Sequence, residues 1–168
     1  MKLSVARGLV AAAIALSALS GAAWAGGGDD YGCSNATLKG LYAFGATAYP
    51  PGTGQQPGVI AGIKIFDGNG GLRQRDYTGG STPVQFAPLG QETGTYMVNK
   101  DCTGNMEIDL NVPNTPPPHG VIKLLFVISD GGRHIHEVVS ELIPPGSTAP
   151  VANHTSADDW KVASEARE

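Results

Sequence analysis

The chain predicts a small all-β fold, an antiparallel up-and-down β-barrel of about seven or eight strands held by one disulfide. Three observations predict it. Short runs rich in Val, Ile, Tyr, Phe and Thr are separated by Gly, Pro, Asn and Asp, which is strand-and-turn punctuation. The links between several runs are too short for anything but hairpins. Within the runs, apolar and polar residues alternate with period two, so each strand has one dry face.

The N-terminus carries a leader. Lys2 and Arg7 precede an apolar run from Gly8 to about Ala18, and Ala23-Trp24-Ala25 reads as a cleavage signal. Residues 1–25 are therefore expected to be removed, which predicts a periplasmic or secreted protein. That apolar run is too short to span a bilayer, and no later stretch is long and apolar enough. Residues 26–155 are then the barrel domain, and 156–168 a polar C-terminal tail whose one large apolar residue is Trp160.

The strands follow in order: Leu38–Tyr49, Val59–Phe66, Leu72–Thr78, Glu92–Asn99, Asn105–Val112, Gly120–Ser129 and Arg133–Ile143, with an eighth around Ser81–Phe86 or Thr148–Ala152. Asp67-Gly68-Asn69-Gly70 and Asp130-Gly131-Gly132 supply the positive φ angles of tight hairpins. Ile122, Leu124, Phe126 and Ile128 make an apolar face, as do Met106, Ile108 and Leu110 against Glu107, Asp109 and Asn111. A barrel of eight strands either fills with side chains or holds one small ligand. Two proline-rich segments, Pro50–Pro57 and Pro113–His119, cannot extend a sheet and are expected either to rim one end of the barrel or to be simply long connections.

Charge and cysteines narrow the function classes. Loss of Lys2 and Arg7 with the leader moves the formal net charge from −4 to −6, so the mature chain has no field for nucleic acid or an anionic membrane. Cys33 and Cys102 are the only cysteines. Without C-x-x-C or further thiolates at ligand spacing, a structural disulfide is the expected state, contributing roughly 4 kcal/mol by closing a long loop.

Several stretches resemble a known group. These are Cys33 with Leu38-Lys39-Gly40-Leu41-Tyr42-Ala43-Phe44, then Gly62-Ile63-Lys64-Ile65-Phe66-Asp67-Gly68-Asn69-Gly70, then Gly94-Thr95-Tyr96-Met97-Val98-Asn99-Lys100-Asp101-Cys102-Thr103-Gly104, and Phe126-Val127-Ile128-Ser129-Asp130-Gly131-Gly132. In order and spacing they are similar to small exported bacterial proteins with an allene oxide cyclase-like, lipocalin-like (calycin-type) barrel. The resemblance implies an antiparallel barrel with a disulfide joining the first strand to the Asp101-Cys102 turn. It implies no activity, because fold does not fix function, and no catalytic motif of the cyclases maps onto this chain.

The candidate chemistry is sparse. His134 and His136 share a strand face, a spacing that offers two imidazoles to a metal, with His119, His154, Glu137 or Glu141 as conceivable third ligands. Two solvated histidines are the preferred reading, so no metal and no cofactor are assigned. Glu137 lies on the opposite parity with Ile135 and Val139. Turned inward it would be a candidate general acid or base with a raised pKa. Tyr42, Phe44, Tyr96, Phe126 and Phe66 would line a cavity or fill a closed core, the core being the commoner use. Arg73, Arg75 and Asp76 read as an exposed face with screened ion pairs. No G-x-S-x-G, H-E-x-x-H or nucleotide loop occurs. The leading expectation is a non-enzymatic barrel that binds a small apolar or amphipathic molecule. The alternatives are a cavity-templated cyclase or isomerase using Glu137, His134 or His136, and a structural or adhesive envelope protein.

Overall fold

The structure is a computed structural model that describes residues 31–49, 57–79, 85–111 and 117–164. Residues 1–30, with the expected leader, 50–56 and 112–116 of the proline-rich segments, 80–84, with most of the Ser81–Phe86 candidate, and the last four residues lie outside the described residues. Strands β1 (Lys39–Tyr49), β2 (Gly58–Asp67), β3 (Gly71–Gly79), β4 (Gln85–Val98), β5 (Thr103–Leu110), β6 (Gly120–Ser129), β7 (His134–Ile143) and β8 (His154–Ala163) form a closed barrel. Each strand pairs antiparallel with the next, and β8 returns to pair with β1. No helix among the described residues is long and apolar enough to cross a membrane.

One end of the barrel is solid. Tyr42, Phe66 and Tyr96 stack edge to face with centroids 5.2 and 5.1 Å apart, the arrangement that ring quadrupoles favour. Leu38, Leu72, Met106, Phe126, Ile128 and Ile135 pack around them. The tight connections sit at this end. Asp67 Oδ1 accepts from the backbone of Asn69 and Gly71 at 2.6 and 2.9 Å, and Gly68 and Gly70 take φ of +83° and +107°. The Tyr96 hydroxyl accepts from Gly68 N at 3.0 Å and donates to the Leu38 carbonyl at 2.9 Å, tying the N-terminal segment to this hairpin. Cys33 and Cys102 form the expected disulfide, Cα to Cα 5.1 Å, pinning that segment to the β4–β5 turn.

Two sequence readings are corrected. The polar stretch from Ser156, expected to be a tail, belongs to β8, which closes the barrel between β1 and β7. Its inward residues are Thr155, Ala157 and Asp159, so it lacks the apolar alternation that marks a strand. Backbone partners on both sides supply what the side chains do not. The two regions expected to hold an eighth strand contribute differently. Gln85 and Phe86 open β4, whereas Val151 makes an isolated bridge to Leu142.

Candidate functional site

The other half of the barrel encloses a cavity of about 440 Å³. Phe44, Ala46, Ile60, Ile108, Leu124 and Val139 form much of its apolar wall. Small residues make the room: Ala46 and Ala48 on β1, Ala87 on β4 and Ala157 on β8 all face inward where larger side chains would fill the space. Pro144, Pro145 and Asn153 line its outer part, toward the end where β1, β3, β5 and β7 finish.

The cavity floor is ionic. Lys64 on β2 and Glu137 on β7 are each 2 % exposed and line the cavity, while Asp159 on β8 is fully buried beside them. Lys64 Nζ donates to Glu137 Oε2 at 2.5 Å and stands 3.1 and 3.3 Å from the two Asp159 oxygens. It also lies 4.6 Å from the centroid of the Phe44 ring, within cation–π range. Burial pulls the Lys64 ammonium down, but the Asp159 and Glu137 carboxylates more than reverse this and hold its pKa above the ordinary value. Burial, opposed by Lys64 and assisted by the Glu137 charge, pushes Asp159 up to about 8. Asp159 therefore holds its proton far more tightly than an ordinary aspartate.

A second polar group lies on the wall formed by β3 and β4. Gln74 Nε2 donates to Asp76 Oδ2 and Glu92 Oε2, both at 3.0 Å. Burial, then the Asp76 charge, pushes Glu92 up to about 7, and burial also raises Asp76. Such a pair holds one proton between two carboxylates near neutrality. Gln74 Oε1 and Glu137 Oε1 are buried without a hydrogen-bond partner, and both residues line the cavity. Among the described lining residues, the unmet buried polar atoms are thus acceptors.

The sequence candidates are divided among three places. Glu137 faces inward on the cavity floor. Glu141 shared its parity in sequence but is turned outward by a register shift between β6 and β7, where it pairs with Lys123 at 2.8 Å. Among the aromatic candidates, Phe44 lines the cavity, whereas Tyr42, Tyr96 and Phe126 belong to the solid core below it. The Tyr42 hydroxyl donates to the Gly132 carbonyl. Burial, then Asp159, pushes its pKa up to about 12, so it remains a neutral donor. His134 and His136 lie on the outer face beside Asp158. His154 is exposed.

Asp76, expected on an exposed face, is buried: it shares inward parity with Leu72 and Gln74, while Arg73 alone of the three charges is fully outside. Lys64, Gln74, Glu92 and Asp159 were not singled out from sequence. Parity was the available signal, since Lys64 shares its face with Phe66, and Gln74 and Asp76 share theirs with Leu72. Comparison with protein families, curated proteins and solved structures found no match for this chain.

Proposed function

We propose that this chain is an exported, non-enzymatic binding protein that holds one small amphipathic molecule inside its barrel. The observation that carries this reading is a cavity with apolar walls and a buried ionic floor whose free polar atoms are acceptors. A cavity of about 440 Å³ falls in the range of small-molecule sites. The occupant that fits has an apolar body and hydrogen-bond donors, a hydroxyl or an amine, directed at Glu137 Oε1 and Gln74 Oε1. A fatty carboxylate fits poorly, because Lys64 is already engaged by two acidic groups and the facing wall carries Asp76 and Glu92. The leader supports export to the periplasm or beyond, and the closed barrel is compatible with the calycin-type resemblance. Native mass spectrometry of gently purified protein tests the reading. A bound amphiphile that disappears in an Ala46→Trp variant of unchanged circular dichroism supports it, and an adduct-free chain that takes up no long-chain amine or alcohol refutes it.

A second reading has its own support. Glu92, pushed up to about 7, and inward-facing Glu137 are ionisable groups in a sheltered cavity, which is what a cyclase or isomerase that moulds its substrate requires. This reading predicts that a bound ligand is recovered chemically altered, and that Glu92→Gln or Glu137→Gln abolishes the change without releasing the ligand.

A further inference from the structure

The outer face of the barrel gathers a second set of chemical groups. His134 and His136 project from the same side of β7, and Asp158 projects from the same side of β8 directly opposite His136 in the strand register. Asp158 Oδ1 lies 3.2 Å from His134 Nε2 and 2.7 Å from His136 Nδ1. One ligating atom from each residue falls within 4.8 Å of the other two. We propose that His134, His136 and Asp158 form a surface site for one divalent first-row transition-metal ion, Zn²⁺ and Cu²⁺ having the fitting chemistry.

The geometry carries the assignment in three ways. Two imidazoles and one carboxylate are the donor set that borderline divalent ions select, and they leave at least one coordination position for water or an outside ligand. Atoms bound at about 2.0–2.1 Å to a tetrahedral ion stand roughly 3.3 Å apart, so small side-chain rotations open the present contacts to the required separation. The two ring centroids also lie 4.0 Å apart with planes tilted by 51°, and each ring aims a nitrogen at the same Asp158 oxygen.

The surroundings hold the rings and keep the approach open. His134 stacks on Trp160 at 4.7 Å with planes 18° apart, which fixes its ring plane. Ser129 Oγ lies 3.5 Å from His136 Nε2, the nitrogen turned away from Asp158, in the place of an outer-shell partner. On the β1 side the residue opposite Asp158 is Gly45, where an added Cβ would meet nothing within 4 Å. The side chains of His136 and Asp158 are 55 and 47 % exposed, so the ion reaches them without any movement of the backbone.

Trp160 makes the test direct. In the untagged chain lacking residues 1–25, where Trp160 is the sole tryptophan, isothermal titration with Zn²⁺ is expected to show one saturable site, and Cu²⁺ to quench Trp160 emission with the same stoichiometry. His134→Ala, His136→Ala and Asp158→Asn each weaken binding by more than about tenfold, as even the partners of ligands do when removed. His119→Ala and His154→Ala leave it unchanged. These are surface positions, and circular dichroism confirms the fold of each variant. Trp160→Phe removes most of the copper quenching and retains zinc binding. The proposal is overturned by an absence of saturable binding, by affinity that survives Asp158→Asn, or by quenching that survives Trp160→Phe.

Discussion

Lys64→Met removes a buried cation and leaves two acidic groups without it. In the wild type the ammonium sits 2.5 Å from Glu137 and 3.1 Å from Asp159, with 2 % of its surface exposed. Breaking a buried pair by deleting one partner costs about 3–5 kcal/mol, since the remaining charge is neither solvated nor paired. Spread over an unfolding entropy of about 2.1 cal/mol/K per residue, this lowers the melting temperature of a chain of this length by roughly 10–15 °C. Urea unfolding followed by far-UV circular dichroism at pH 5 and pH 8 measures it. The loss is expected to be smaller at pH 5, where protons can neutralise the carboxylates left behind. Lys64→Met/Glu137→Met/Asp159→Asn is expected to recover at least half of the lost stability, because two apolar side chains and an uncharged amide of similar volume replace the ions and leave no charge unpaired. A loss below about 1 kcal/mol at pH 8, or a triple variant no better than the single one, would refute the reasoning that a tightly desolvated ion network floors the cavity.

Wild-type stability is expected to fall as pH rises from about 4 through 8. Asp159 and Glu92 have folded pKa values raised to about 8 and about 7, so the folded state binds their protons more tightly, and that contribution is lost as pH passes those values. Asp67 and Asp101 are lowered and act oppositely, only as pH falls through the ordinary carboxylate range. Asp159→Asn together with Glu92→Gln should flatten the slope between pH 5 and 8, and an unchanged slope in thermal melts would count against the assignment. Cys33→Ala/Cys102→Ala opens a link across 69 residues and should destabilise by about 4 kcal/mol in the chain-entropy model, read from the shift in urea midpoint. Gly62→Ala places a methyl 2.6 Å from the Phe44 ring and 2.3 Å from the Arg75 carbonyl. It should cost about 1–3 kcal/mol by overpacking and should also weaken ligand uptake, by displacing a wall residue of the cavity.

The parts of the fold legible in sequence were those where side chains alone report their environment. In β5 and β6 the inward positions Met106, Ile108, Leu124, Phe126 and Ile128 are all large and apolar, so period-two alternation fixes both strand and face. The Asp67-Gly68-Asn69-Gly70 turn and the isolated cysteine pair are similarly self-declaring. What escaped was the cavity half of the barrel, for one physical reason. Walls that leave space use Ala, and walls that carry polar groups use Lys64, Gln74, Asp76, Glu92 and Asp159 in place of apolar residues, so the alternation fades where the site lies. β8 is the extreme case: its inward Thr155, Ala157 and Asp159 resemble a solvated tail until barrel closure gives the backbone partners on both sides. Missing that strand also hid Asp158, which strand pairing alone brings beside His134 and His136.

The barrel interior is proposed to receive an apolar body bearing hydrogen-bond donors. Displacement of an environment-sensitive dye by an amine, an alcohol and a carboxylate of one alkyl length measures this directly. The amine and alcohol are expected to displace the dye at lower concentration than the carboxylate, and Ala46→Trp to abolish displacement by all three. Tightest binding of the carboxylate, or displacement untouched by Ala46→Trp, would contradict it.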